Sequence, residues 1–163
     1  MSAVSSDARR ATLLRGIQIE ARNARVYDSL AQLFEGYEDS VTAIFREMAA
    51  EERQHGVELE RRYQERFGRV PSPAEEPKEV IEAPDLDDPE ALIFDSMTIE
   101  QALEAGLRAE LMAREFYIRE ASRTSDADLQ EVYRELGEFE ETHVRLLNDR
   151  LAEKRRAGGS IAR

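Results

Sequence analysis

The chain contains no cysteine in its 163 residues. Disulfides, Cys-ligated zinc, iron–sulfur clusters and thiol catalysis are therefore excluded. Histidine is nearly absent too, so imidazole chemistry can involve only His55 and His143. Basic residues are in deficit: 23 Lys and Arg stand against 35 Asp and Glu, a net charge of −12. That balance argues against nucleic acid, whose binding is driven by basic contacts to phosphate. It also argues against an anionic membrane surface. No apolar run approaches the roughly 18 residues of a membrane span. The first residues, MSAVSSDARRATLLRG, lack the apolar stretch of a signal peptide. The expectation is a soluble, cytoplasmic protein with no nucleic-acid and no membrane contact. Hydrophobic residues make up 41%, enough to bury the core of a single domain.

Proline is missing except between Pro71 and Pro89. Proline breaks helices, so the five prolines mark one long connection between two helical halves. That connection is acidic, with Glu75, Glu76, Asp85, Asp87 and Asp88, and Ala91–Phe94 could add a helical turn. The pattern predicts four long helices, over 6–33, 40–67, 99–122 and 126–156. Gly68 stops the second. Thr98 and Gln101 form a capping box before the third. The halves are thus helical hairpins at 6–68 and 98–156, joined by a crossover at 69–97 and followed by a frayed tail at 157–163. The expected fold is all-α, a four-helix bundle of two hairpins.

The core stripes contain residues that do not belong in a core. Buried positions recur every three or four residues. The first helix reads Leu13, Ile17, Glu20, Ala24, Tyr27, Ala31, Phe34, and the second Val41, Phe45, Met48, Glu52, His55, Leu59. The third reads Leu103, Gly106, Glu110, Ala113, Tyr117, and the fourth Leu129, Val132, Leu136, Glu140, His143, Leu147. A single Glu-x-x-His is weak in a Glu-rich chain. Here both histidines lie in that motif, and each motif falls on a core stripe. The halves also repeat. A shift of 90 positions takes Gly16, Glu20 and Tyr27 onto Gly106, Glu110 and Tyr117. A shift of 88 takes Glu52, His55 and Leu59 onto Glu140, His143 and Leu147. A pseudo-twofold arrangement would gather four Glu and two His at one centre.

Four buried carboxylates repel one another, and desolvation costs several kcal/mol for each charge. Two divalent cations would neutralise them. Oxygen and imidazole donors suit iron or manganese, with zinc as a possible substitute. Glu52 and Glu140 are expected to bridge, with Glu20 and Glu110 terminal and each near one His. Tyr27 and Tyr117 lie two turns beyond Glu20 and Glu110. They are either core packing or hydrogen-bond donors to a ligand carboxylate across the bundle. Gly16, Gly106, Gly56 and Gly137 would allow close helix approach or leave room for a small oxidant.

The segments Glu20-Ala-Arg-Asn-Ala-Arg-Val-Tyr27, Glu52-Arg-Gln-His55, Glu110-Leu-Met-Ala-Arg-Glu-Phe-Tyr117 and Glu140-Glu-Thr-His143 follow one another in this order. Together they resemble the ferritin-like superfamily, and within it the rubrerythrin and erythrin group, over roughly residues 11–151. The resemblance implies a single ferritin-like domain over 1–163. It implies a non-haem centre of two Fe ions that reacts with hydrogen peroxide or dioxygen, as in peroxide scavenging or ferroxidase chemistry. It also implies a homodimer, in some members with helices exchanged. Peroxidase members of that group carry a cysteine-rich rubredoxin domain. This cysteine-free chain would need an external electron donor instead. Ala113 stands where those members have an additional ligand Glu, which leaves the more symmetric set of four Glu and two His. The residues leave other readings open: iron sequestration with slow or no turnover, hydroxylation of an organic substrate, or a metal-free interaction domain.

Overall fold

The computed structural model describes residues 3–72 and 97–159. Four helices make up the described part: α1 (Ala3–Phe34), α2 (Asp39–Phe67), α3 (Ile99–Arg123) and α4 (Ala127–Gly159). The crossover prolines from Pro73 onward, its acidic residues and the proposed turn at Ala91–Phe94 lie outside the described residues. None of the described helices is long and apolar enough to cross a membrane.

Each boundary has a local cause. A turn containing Gly36 at φ +76° separates α1 from α2. Positive φ costs glycine little because it has no Cβ. Gly68, at φ +80°, closes α2 and donates its N–H to the Gln64 carbonyl. The capping box forms at α3: Thr98 Oγ1 accepts from Gln101 N at 3.2 Å, and Gln101 Oε1 accepts from Thr98 N at 2.8 Å. Asp126 caps α4, its Oδ1 accepting from Leu129 N at 3.2 Å. The helix continues through Gly159, past the point where the sequence suggests fraying. Residues 160–163 lie outside the described part.

α1 packs on α2 and α3 on α4 as antiparallel hairpins. Arg10 donates to the Tyr63 hydroxyl at one end of the first hairpin (2.8 Å), and Arg53 to Asp28 nearer the other (2.5 Å). α1 is antiparallel to α3 as well, since Tyr27 meets Glu110 while Tyr117 meets Glu20. Arg66, in the last turn of α2, pairs with Asp128 at the start of α4. Arg155, near the end of α4, pairs at 2.6 Å with Glu104 near the start of α3. The end of α2 and the start of α3 therefore lie at opposite ends of the bundle, about 40 Å apart at 1.5 Å per helical residue.

All the stripe residues named from periodicity are buried. They form two apolar clusters. One contains Tyr27, Leu30, Phe45, Met48, Leu103 and Leu147. The other contains Leu13, Leu59, Tyr63, Tyr117, Leu129 and Tyr133. Burial of each large side chain contributes roughly 1.5–3 kcal/mol. That apolar material at both ends supports the polar layer between them.

Candidate metal centre

The layer between the two clusters holds Glu20 from α1, Glu52 and His55 from α2, Glu110 from α3, and Glu140 and His143 from α4. The four carboxylates are fully buried. His143 is 4% exposed and His55 9%. Their donor atoms fall into two groups, each within 4.8 Å: Glu20, Glu52, His55 and Glu140, and Glu52, Glu110, Glu140 and His143. Glu52 and Glu140 are common to both groups, while Glu20 and Glu110 each belong to one. His55 Nδ1 lies 3.3 Å from Glu20 Oε2, and His143 Nδ1 lies 3.2 Å from Glu110 Oε2. The structure thus brings together all six residues that the repeat singles out.

Glu20 Oε2, both oxygens of Glu52, both of Glu140 and His55 Nδ1 are buried without a hydrogen-bond partner among the described residues. Such groups are costly to bury unless something compensates them. A pair of divalent cations would take these same atoms, so the donor set fits two metal ions.

The two tyrosines complete the pseudo-twofold arrangement. Tyr27 of α1 donates to Glu110 Oε1, and Tyr117 of α3 donates to Glu20 Oε1. Each phenol engages one carboxylate oxygen and leaves Oε2 facing the histidine. Both tyrosines are fully buried, and each hydroxyl is in hydrogen-bond contact with a carboxylate of the cluster. Gly106 makes space for the Tyr27 ring, and Gly16 chiefly for the Leu59 side chain. A Cβ at Gly16 would lie 3.5 Å from the Tyr117 hydroxyl, and one at Gly106 would lie 3.3 Å from Tyr27 Cε1.

Burial raises Glu52 from its ordinary range to about 9. It also raises Glu140 well above that range, and the adjacent Glu110 adds to the effect. Glu110 itself is lowered: burial opposes its charge, but contacts with Glu140 and His143 outweigh that cost. Burial likewise disfavours a charged His143, yet Glu110, Glu140 and Glu52 raise it far above an ordinary histidine. Burial, then the nearby carboxylates, keeps Tyr27 and Tyr117 protonated.

Two residues escaped the periodicity argument. Glu51 lies one position off the stripe and is half-exposed, but its Oε2 is 2.6 Å from His143 Nε2. Its only sequence signal is the doubled Glu51-Glu52 before the motif's His, which the second motif does not repeat in register. Asn23 is fully buried one turn from Glu20, and its amide has no partner among the described residues. It was hidden beside Ala24, which continues the stripe equally well.

A protein-family model described as Rubrerythrin matches residues 12–151. No curated protein matches the chain. The fold is similar to that of an uncharacterised conserved protein from Magnetospirillum magnetotacticum MS-1. That crystal structure aligns with a TM-score of 0.66 at 22% identity, over 87% of this chain and 92% of the other.

Proposed function

The chain belongs to the rubrerythrin family, and from that premise we propose that it is a di-iron oxidoreductase that reacts with hydrogen peroxide or dioxygen. The observation that supports this reading is the set of buried, unpartnered donor atoms in two groups that share Glu52 and Glu140. Glu52 and Glu140 would bridge two irons. Glu20 with His55, and Glu110 with His143, would complete one position each. Two Fe(II) ions, when bound, supply the two electrons that reduce peroxide to water.

The chain's own residues set the conditions for that chemistry. The apolar clusters on either side exclude bulk water from the layer. Tyr27 and Tyr117 fix the terminal carboxylates and keep their own protons next to the centre. A reductant outside this cysteine-free chain returns the electrons. Assembly as a homodimer belongs to the same reading, and sedimentation tests it.

An anaerobic Fe(II) titration of the metal-stripped protein, followed by one pulse of peroxide, tests the function. Saturation near two irons per chain with rapid oxidation is expected. Two irons bound with no response to peroxide or air would leave an iron-binding protein. No saturable iron would remove the centre altogether.

A further inference from the structure

The repeat that aligns Glu52 with Glu140 and His55 with His143 places Phe139 where Glu51 stands. In the structure, that single difference lies directly behind the two matched histidines. His143 Nε2 is 2.6 Å from Glu51 Oε2. His55 instead packs its ring on Phe139, with centroids 5.0 Å apart. Among the described residues, the carboxylate within ion-pair reach of His55 is Glu20, on the Nδ1 side that faces the cluster.

The consequence follows from hydrogen-bond chemistry. An ionised carboxylate can only accept. Glu51 therefore fixes a proton on Nε2 of His143 and leaves Nδ1 as the ring atom offered to a cation at the cluster. That atom lies 3.2 Å from Glu110 Oε2 and 3.4 Å from Glu52 Oε1. The Glu51 contact also locks the ring orientation and makes the imidazole a stronger donor to a cation. A phenyl ring offers His55 no comparable acceptor, so its tautomer and tilt are less constrained.

We propose that Glu51 is a positioning residue for His143 and makes the two cation positions unequal. The Glu110/His143 position fills first and holds its cation more tightly than the Glu20/His55 position. This inference rests on reading the six buried residues as a two-cation centre.

Anaerobic titration of the metal-stripped full chain with Co(II), followed by calorimetry and visible absorption, tests it without calling on turnover. Two resolved steps are expected. Glu51→Ala should weaken the tighter step roughly 10–100-fold, the usual effect of losing such a partner, and leave the weaker step unchanged. Glu51→Gln keeps an acceptor oxygen and should restore most of the tighter step. In the Co(II)-loaded protein, the shifted ring N–H resonance of His143 should resist solvent exchange and be lost in Glu51→Ala. Phe139→Glu should tighten the weaker step. Glu51 is half-exposed, so its variants are expected to fold, which circular dichroism would verify. Two cations bound with equal affinity, or a Glu51→Ala variant with both steps intact, would overturn the proposal and leave the two-cation centre standing. Failure of the wild-type chain to bind two Co(II) would remove the centre and this inference with it.

Discussion

Glu52 and Glu20 are both fully buried ligand candidates, yet they should behave differently when removed. Glu52 belongs to both donor groups and Glu20 to one. Glu52→Ala should therefore weaken both cation steps, whereas Glu20→Ala should leave one cation bound per chain. Anaerobic titration with the end point counted per chain distinguishes these outcomes. The tyrosines make a finer prediction. Tyr117→Phe releases Glu20 Oε1, and Tyr27→Phe releases Glu110 Oε1. Each should weaken the step on its own side by roughly 10–100-fold, read by calorimetry. Equal weakening of both steps by either change would contradict the pairing. The six candidate ligands were legible in the sequence because each interrupts an apolar stripe. Glu51 was not, because its role depends on a helix 92 positions away.

Among the helices, the glycines on the packed faces differ in what they accommodate. A Cβ at Gly56 would meet only Glu20 Cβ, at an ordinary 3.5 Å. Gly56→Ala should then gain helix propensity, up to about 1 kcal/mol. A Cβ at Gly16 would come within 3.0 Å of Leu59 Cδ1. Leu59 would have to move, so Gly16→Ala should fall short of that gain. Thermal unfolding of the two metal-stripped variants compares them directly. The α3 capping box has no such conflict. Thr98→Ala removes its acceptor and should cost about 1 kcal/mol, visible as a lower midpoint in urea. Both hairpins and this cap were readable from spacing alone. The persistence of α4 through Gly159 was not, since two consecutive glycines are locally a stop signal.

Over the whole molecule, the buried charges link stability to pH. Burial holds Glu52 protonated up to about 9, against 4.5 for an ordinary Glu. Between those values the folded chain binds more protons than the unfolded one, so stability falls as pH rises. Glu140 and His143 are raised as well and act in the same direction. Metal-stripped protein should therefore lose stability steadily from about pH 5 to pH 9. Divalent metal should flatten that dependence, because binding releases the same protons and tightens as pH rises. Urea unfolding at several pH values, with and without Co(II), measures both effects. A stability that rises with pH in the metal-stripped protein would contradict the linkage. Surface pairs such as Lys154–Glu38, at 3.0 Å, contribute much less because solvent screens them.

The sequence by itself determined the helices, the hairpin order and the six buried ligand candidates. Each of these depends on local spacing: proline placement, a 3.6-residue period, and an internal repeat. Only the tertiary structure decided which oxygens are held by Tyr27 and Tyr117. It also decided that Glu51 stands behind His143 while Phe139 stands behind His55. These are contacts between different helices, and their geometry depends on how the helices are rotated and offset in the packed bundle. A residue one step off a stripe can then turn out to touch the centre.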